Sequence, residues 1–280
     1  MKFETYINKV NKCERPLFKL FQEELTVDLL QQLNEVSEKT YFVAMTPRSG
    51  SSYLMDLFFK TNKLAEPGEY LNPGFVPNIA TALQVRNLSD YWLKLLQNKG
   101  KGGIFGIKVS YFHLMPLIET GLDELLFQNN KIILLQRKNI VKQAISLYLA
   151  TQSDIFHTNI EHSEEKWKTL EQLEYSDEGI RNWMEHIIRQ EQGWKKYLEH
   201  KEYLSLSYED ILINPKNCVT KTLNFLSIEY VDNDIYGESI FKKIGNDKNR
   251  QFYETFLGKK TNLDFMTAHG LGSERFEILR

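Results

Sequence analysis

A chain of 280 residues, 42% hydrophobic and 26% charged, is long enough for one large α/β domain with at most a small appendage. Its formal net charge of −2 excludes the broad positive field of a general nucleic-acid binder, so any anion site has to be local. Two cysteines, Cys13 and Cys218, beside six histidines give neither a disulfide framework nor metal-ligand spacing, and no apolar run reaches the length of a membrane span, about 18 residues.

In chain order, residues 1–38 read as a helical extension. Leu25, Leu29, Leu30, Leu33 and Val36 recur at helical spacing, and that leucine face is a candidate surface for a homodimer. Charge interrupts every apolar run of this segment, which predicts a cytoplasmic location. Residues 39–280 form the main domain. Tyr41 to Thr46 is a short apolar run that ends at Pro47 and is followed by Leu54, Leu57 and Phe58 at helical spacing: a strand, a tight turn and a helix. Ile104 to Val109 and Lys131 to Gln136 repeat the strand pattern, the latter followed by a helix from Val141 to Ala150. Glu178 to Leu198 is a long helix with Ile180, Trp183, Ile187, Trp194 and Leu198 on one face. Tyr203 to Ser207 alternates like a strand, and Pro215 opens a last helix running to Phe225. Alternating strands and helices predict an α/β fold with a mostly parallel central sheet flanked by helices; the tail beyond Asn246 resists assignment.

The turn between the first strand and its helix, Thr46-Pro-Arg-Ser-Gly-Ser-Ser52, carries the first chemistry. Backbone N–H groups at a helix start, added to the positive end of the helix dipole, bind phosphate or sulfate without a metal. Gly50 permits close backbone approach, Arg48 supplies a fixed cationic fork, and Ser49, Ser51 and Ser52 add donors. A nucleoside-triphosphate P-loop would need G-x-x-x-x-G-K-[ST] and an acidic strand end to hold magnesium. Here the lysine is missing, and the strand ending at Gln136 runs into Arg137-Lys138. A basic strand end suits a second phosphate. Arg137 can grip it bidentately, with Ser146 on the following helix as a hydroxyl donor.

These segments resemble the PAPS-dependent sulfotransferases (PAPS is 3′-phosphoadenosine-5′-phosphosulfate). The resemblance is narrower still to the bacterial carbohydrate sulfotransferases typified by trehalose 2-sulfotransferase. Pro47-Arg-Ser-Gly-Ser-Ser52, Ala65-Glu-Pro-Gly-Glu-Tyr70, Gln136-Arg-Lys-Asn139 and Gln143-Ala-Ile-Ser146 follow the family's motifs in order and separation, and Ser207-Tyr-Glu-Asp210 resembles a later one. Ala65, Gln136 and Asn139 depart from the pattern, and Lys138 is a candidate substitute contact to the 3′-phosphate. The resemblance implies a P-loop-like sulfotransferase fold that moves a sulfonate from PAPS to a hydroxyl of a carbohydrate or other small acceptor, with no metal. Glu66 and Glu69 are both candidates for the base; the resemblance places Arg48 on the 5′-phosphate and departing oxygen, Ser49 to Ser52 in the cradle, Glu69 as catalytic base and Glu66 on the acceptor.

Lys108, at a strand end, is a lesser candidate for facing the nucleotide, and His113 and His157 for the base. Tyr111, Phe112, Phe156 and Trp167 are candidates for stacking, and Arg250 and Gln251 for closing over the nucleotide. Two other readings stay open on residues alone: a nucleotide or nucleoside kinase, and a non-catalytic nucleotide-binding protein.

Overall fold

The computed structural model describes residues 39–276 except 66, 86, 101–103, 122, 125–126, 128–129, 158–160 and 232–246. The expected N-terminal helix, with the dimer surface placed on it, and Glu66 lie outside the described residues.

Four strands form one parallel sheet: β1 (Lys39–Met45), β2 (Ile104–Ser110), β3 (Lys131–Gln136) and β4 (Tyr203–Ser207), in the order β2-β1-β3-β4. The register places Met45 opposite Ser110 on one side and Leu135 on the other, so three strands end at one level. The described helices are α1 (Ser51–Lys60), α2 (Val76–Leu83), α3 (Leu88–Lys99), α4 (Tyr111–Thr120), α5 (Ile140–Ser153), α6 (Glu164–Gln172), α7 (Asp177–Tyr197), α8 (Tyr208–Ile213), α9 (Pro215–Phe225), α10 (Asp247–Leu257) and α11 (Lys260–Ala268).

Period-two alternation splits the core between the two faces of the sheet. Tyr41, Val43 and Met45 pack with Leu54, Met55 and Phe58 of α1 and with Cys218, Val219 and Leu223 of α9. Phe42 and Ala44 point the other way, onto α3, α4 and Trp194 of α7. A third cluster joins α5 and α7 to α10 through Ile145, Trp183, Ile187 and Phe256. All five apolar positions read on α7, Ile180, Trp183, Ile187, Trp194 and Leu198, are buried.

The chain moves from β1 to one neighbour and from β3 to the other. The carboxyl ends of β1 and β3 are therefore the switch point of the sheet, the place where such folds set a ligand crevice. Arg48 and Arg137 both stand on the turns that leave these two strand ends. The unassigned tail contains two helices, α10 and α11.

Candidate active site

The cradle turn is held rigidly. Trp194 Nε1 donates to the carbonyl of Met45 at 3.0 Å, and Gln143 Nε2 of α5 donates to Thr46 Oγ1 at 2.8 Å and to the Pro47 carbonyl at 2.7 Å. Two successive features of the turn are left-handed, Arg48 at φ 64° and Gly50 at φ 87°. For arginine that conformation stores strain of about 1 kcal/mol or more, which the surrounding bonds have to hold. Gly50 is required twice over: a Cβ there would also lie 2.3 Å from the ring of Tyr208. No side chain caps the N-terminus of α1. The Oγ of Ser49 is buried with no hydrogen-bond partner among the described residues. An uncapped helix start beside an unsatisfied buried hydroxyl is a polar environment completed by an outside anion.

Arg48 reaches across the crevice. Its Nε donates to Ser146 Oγ at 3.1 Å and its Nη1 to the Phe156 carbonyl at 2.6 Å. Burial and then the neighbouring Arg137 bring its pKa down to about 10, and the guanidinium remains a cation at neutral pH. Arg137 stands beside it: Nη1 donates to the Arg48 carbonyl at 3.2 Å, its guanidinium lies 4.8 Å from the centre of the Tyr208 ring, and its Nε is buried without a partner among the described residues. Burial lowers its pKa too, with Tyr208 and Glu209 opposing. Ser146, expected as a hydroxyl donor beside Arg137, accepts from Arg48. Lys138 points away, its Nζ 2.8 Å from Asp210 Oδ1 at the surface. Asn139 caps α5 by accepting from Lys142 N at 2.8 Å, and its Nδ2 donates to the Phe276 carbonyl at 2.9 Å.

Glu69 sits on a loop tied at three points. Tyr41 Oη donates to the Ala65 carbonyl at 3.1 Å, Lys108 N donates to the Gly68 carbonyl at 3.0 Å, and Tyr91 Oη donates to the Tyr70 carbonyl at 2.6 Å. Both carboxylate oxygens have partners: Lys108 Nζ lies 3.2 Å from Oε1, and Asn72 Nδ2 donates to Oε2 at 2.7 Å. Burial pushes the pKa of Glu69 up, but Lys108, Asn72 and His113 together outweigh it and hold the carboxyl below its ordinary value. The same Lys108 Nζ donates to Ser52 Oγ at 3.4 Å, so one ammonium joins the cradle to the carboxylate. Burial drives His113 down to about 4 despite Glu69, and burial with Arg48 and Lys108 lowers His157. Both imidazoles are neutral at pH 7.

The structure thus brings together Arg48, Ser146, Ser52, Lys108 and Glu69 through direct contacts, and sets Arg137 against Arg48. Of the remaining nominees, Tyr111, Phe112, Trp167 and Arg250 have their contacts elsewhere. Tyr111 meets Trp194 at 5.5 Å and Phe112 meets His186 at 5.1 Å. Trp167 is partly exposed against His162, and Arg250 pairs with Asp247 at 3.0 Å on the solvent side of α10. Asn72, Gln143, Tyr208 and Glu209 were missed as site-builders. Gln143 and the Tyr208-Glu209 pair sat inside motifs that were noted without a role for them.

An α/β sheet whose switch point carries a helix start and two guanidinium groups defines a P-loop-like, anion-binding fold. The family model described as Stf0 sulphotransferase matches residues 40–257. The chain belongs to this sulfotransferase family. No curated protein matches the sequence. Among solved structures it is similar to the sulfotransferase domain from the curacin biosynthetic pathway, at 14% identity and a TM-score of 0.44 over 84% of this chain and 98% of that one. It is similar to a mouse sulfotransferase complexed with PAP, at 13% identity and a TM-score of 0.45 over 89% of each chain. A sulfotransferase from Alicyclobacillus acidocaldarius gives 12% identity and a TM-score of 0.44 over 84% of this chain and 97% of that one. Among the described residues no helix is long and apolar enough to cross a membrane.

Proposed function

We propose that residues 39–280 form a domain that transfers the sulfonate of PAPS to a hydroxyl of a carbohydrate or another small hydroxylated acceptor, without a metal ion. The observation that carries this reading is the continuous path from Ser146 through Arg48 to the cradle, and from Ser52 through Lys108 to Glu69. It sets cationic donors at one end of a crevice and an ionised base at the other.

The residues present fit a nucleotide with two anionic ends. The uncapped start of α1 and the unpartnered Ser49 hydroxyl suit the 5′ end, and the buried, unpartnered Nε of Arg137 suits a 3′-phosphate. When bound, PAPS supplies the activated sulfonate and departs as PAP. Arg48 stabilises the charge that grows on the departing oxygen, and Ser51 and Ser52 add donors on the same side. Glu69 accepts the proton of the acceptor hydroxyl as its oxygen bonds to sulfur and the sulfur–oxygen bond to the 5′-phosphate breaks. Lys108 keeps Glu69 ionised and lends positive charge to the transferring group. The guanidinium and ammonium groups provide the charge that a phosphoryl-transfer site takes from magnesium, which supports the metal-free reading. The buried free thiol of Cys218 suits a reducing, cytoplasmic setting.

Incubation with labelled PAPS and pools of glycans and small alcohols, with and without EDTA, tests the whole reading. Labelled product from a glycan or alcohol pool that survives EDTA is expected. No product from any pool, together with no PAP binding by calorimetry, would overturn it.

A further inference from the structure

The segment Ser207-Tyr-Glu-Asp210 takes no part in the transfer chemistry, yet it meets the turn bearing Arg137 from three directions. The Tyr208 ring touches two parts of the site. The Arg137 guanidinium sits 4.8 Å from its centre, and the backbone of Gly50 is so close that no Cβ fits. Glu209 spans two consecutive backbone donors: Oε2 accepts from Lys138 N at 2.9 Å and Oε1 from Asn139 N at 3.3 Å. Asp210 takes the Lys138 ammonium at 2.8 Å, which removes that lysine from competition for an anion in the crevice.

These contacts fix an arginine that has few other restraints. Its Nη1 donates to the Arg48 carbonyl, and among the described residues its buried Nε is without a partner. A guanidinium fork selects a phosphate only when its plane is held in place, because each of its two hydrogen bonds tolerates little misalignment. Tyr208 supplies the plane by stacking, and Glu209 supplies the position by anchoring the peptide groups immediately after Arg137.

We propose that Tyr208 and Glu209 are positioning residues that set discrimination for the nucleotide's 3′-phosphate, acting through Arg137. This rests on the reading that Arg137 receives that phosphate. Glu209 anchors the turn after β3, and the Tyr208 ring packs on its arginine as well as on Gly50, so their effect falls mainly on ligands that carry a 3′-phosphate.

The test compares dissociation constants for PAP and for adenosine 5′-monophosphate, which lacks the 3′-phosphate, by calorimetry on the full chain. Tyr208→Leu and Glu209→Gln are each expected to lower the PAP preference about tenfold while leaving the monophosphate constant within about twofold, the size of one charge-assisted contact. Tyr208→Phe keeps the ring and is expected to keep the preference. Arg137→Ala should abolish it. If Arg137→Ala loses the preference while Tyr208→Leu and Glu209→Gln retain it, the positioning role is wrong and the Arg137 reading stands. If Arg137→Ala retains it, the 3′-phosphate reading itself fails. A parallel loss of both ligands in Glu209→Gln marks a purely structural contact and also overturns the proposal.

Discussion

Arg48 Nε donates to Ser146 Oγ at 3.1 Å across 98 residues of sequence. That bond turns a flexible surface cation into a fixed one at the crevice, and it ties the cradle after β1 to the helix after β3. Two substitutions separate the charge from its orientation. Arg48→Ala removes both and should lower turnover at least about 100-fold, the usual cost of deleting a donor aimed at developing charge. Ser146→Ala leaves the buried Nε unpaired and should cost about 1 kcal/mol, read as a several-fold rise in the KM for PAPS with the fold intact. Steady-state kinetics with PAPS as the varied substrate decide it; a wild-type KM in Ser146→Ala would show that the bond does not orient Arg48.

Lys108 and Glu69 give the pH profile a definite sign. Glu69 is held below the ordinary carboxylate value of 4.5, so the ionised base should persist, and kcat should stay flat, until the pH falls below that value. In Lys108→Met the largest stabiliser of the charge is gone and burial is left to dominate. The acidic limb of kcat should then move up by about 1–2 units, above the ordinary value. Glu69→Gln should lose about 100-fold or more in turnover with PAP affinity nearly unchanged. An unmoved acidic limb in Lys108→Met would remove Glu69 from the role of base.

Much of this site was legible because its chemistry sits at changes of period. Four strands and the helices from Pro215 and Glu178 follow from apolar spacing, and Arg48, Gly50 and Arg137 stand on the turns where a strand gives way to a helix. What the sequence hid was pairing. Ser146 is nine residues from Arg137 and 98 from Arg48, yet it bonds Arg48, because α5 runs back over the cradle. Lys108 reads from sequence only as a lesser candidate at a strand end, but the parallel register sets β2 beside β1 and its ammonium meets both Ser52 and Glu69. The tail was unreadable for a different reason: α10 and α11 are held to the body by a polar network as well as apolar faces, which leaves a weak periodic signal.

Gly50 links the cradle to the second cation. Its φ of 87° costs an L residue about 1 kcal/mol or more, and an added Cβ would have to displace the Tyr208 ring that it would meet at 2.3 Å. Gly50→Ala should therefore destabilise the fold by about 3 kcal/mol and weaken PAP binding by moving both the cradle and the ring on Arg137. Urea unfolding and PAP calorimetry on the same variant check the two effects. Unchanged stability would mean that the turn can relax without strain.

The polar network that anchors the tail predicts its own pH signature. Buried Asn262 accepts from Arg181 Nε at 2.7 Å and donates to Asp177 Oδ1 at 2.6 Å and to the Phe256 carbonyl at 2.9 Å. Asp177 also takes Lys259 at 2.5 Å and the Tyr175 hydroxyl. Its partial burial favours the neutral acid, but these donors outweigh that and bring its pKa to about 2 from 3.8. A depressed carboxylate contributes stability that is fully present above its unfolded value and is lost as the pH falls from about 4 toward 2. Asp177→Asn should cost about 1 kcal/mol at pH 7, after allowing for solvent screening of a partly exposed pair, and the gap to wild type should close over that acidic window. Asn262→Ala strands several buried groups at once and should cost about 3 kcal/mol at any pH. Thermal unfolding across pH 3 to 7 distinguishes the two. A gap for Asp177→Asn that stays constant down to pH 3 would mean that its ion pair with Lys259 contributes nothing, and that Asn262 alone fastens α11 to α7.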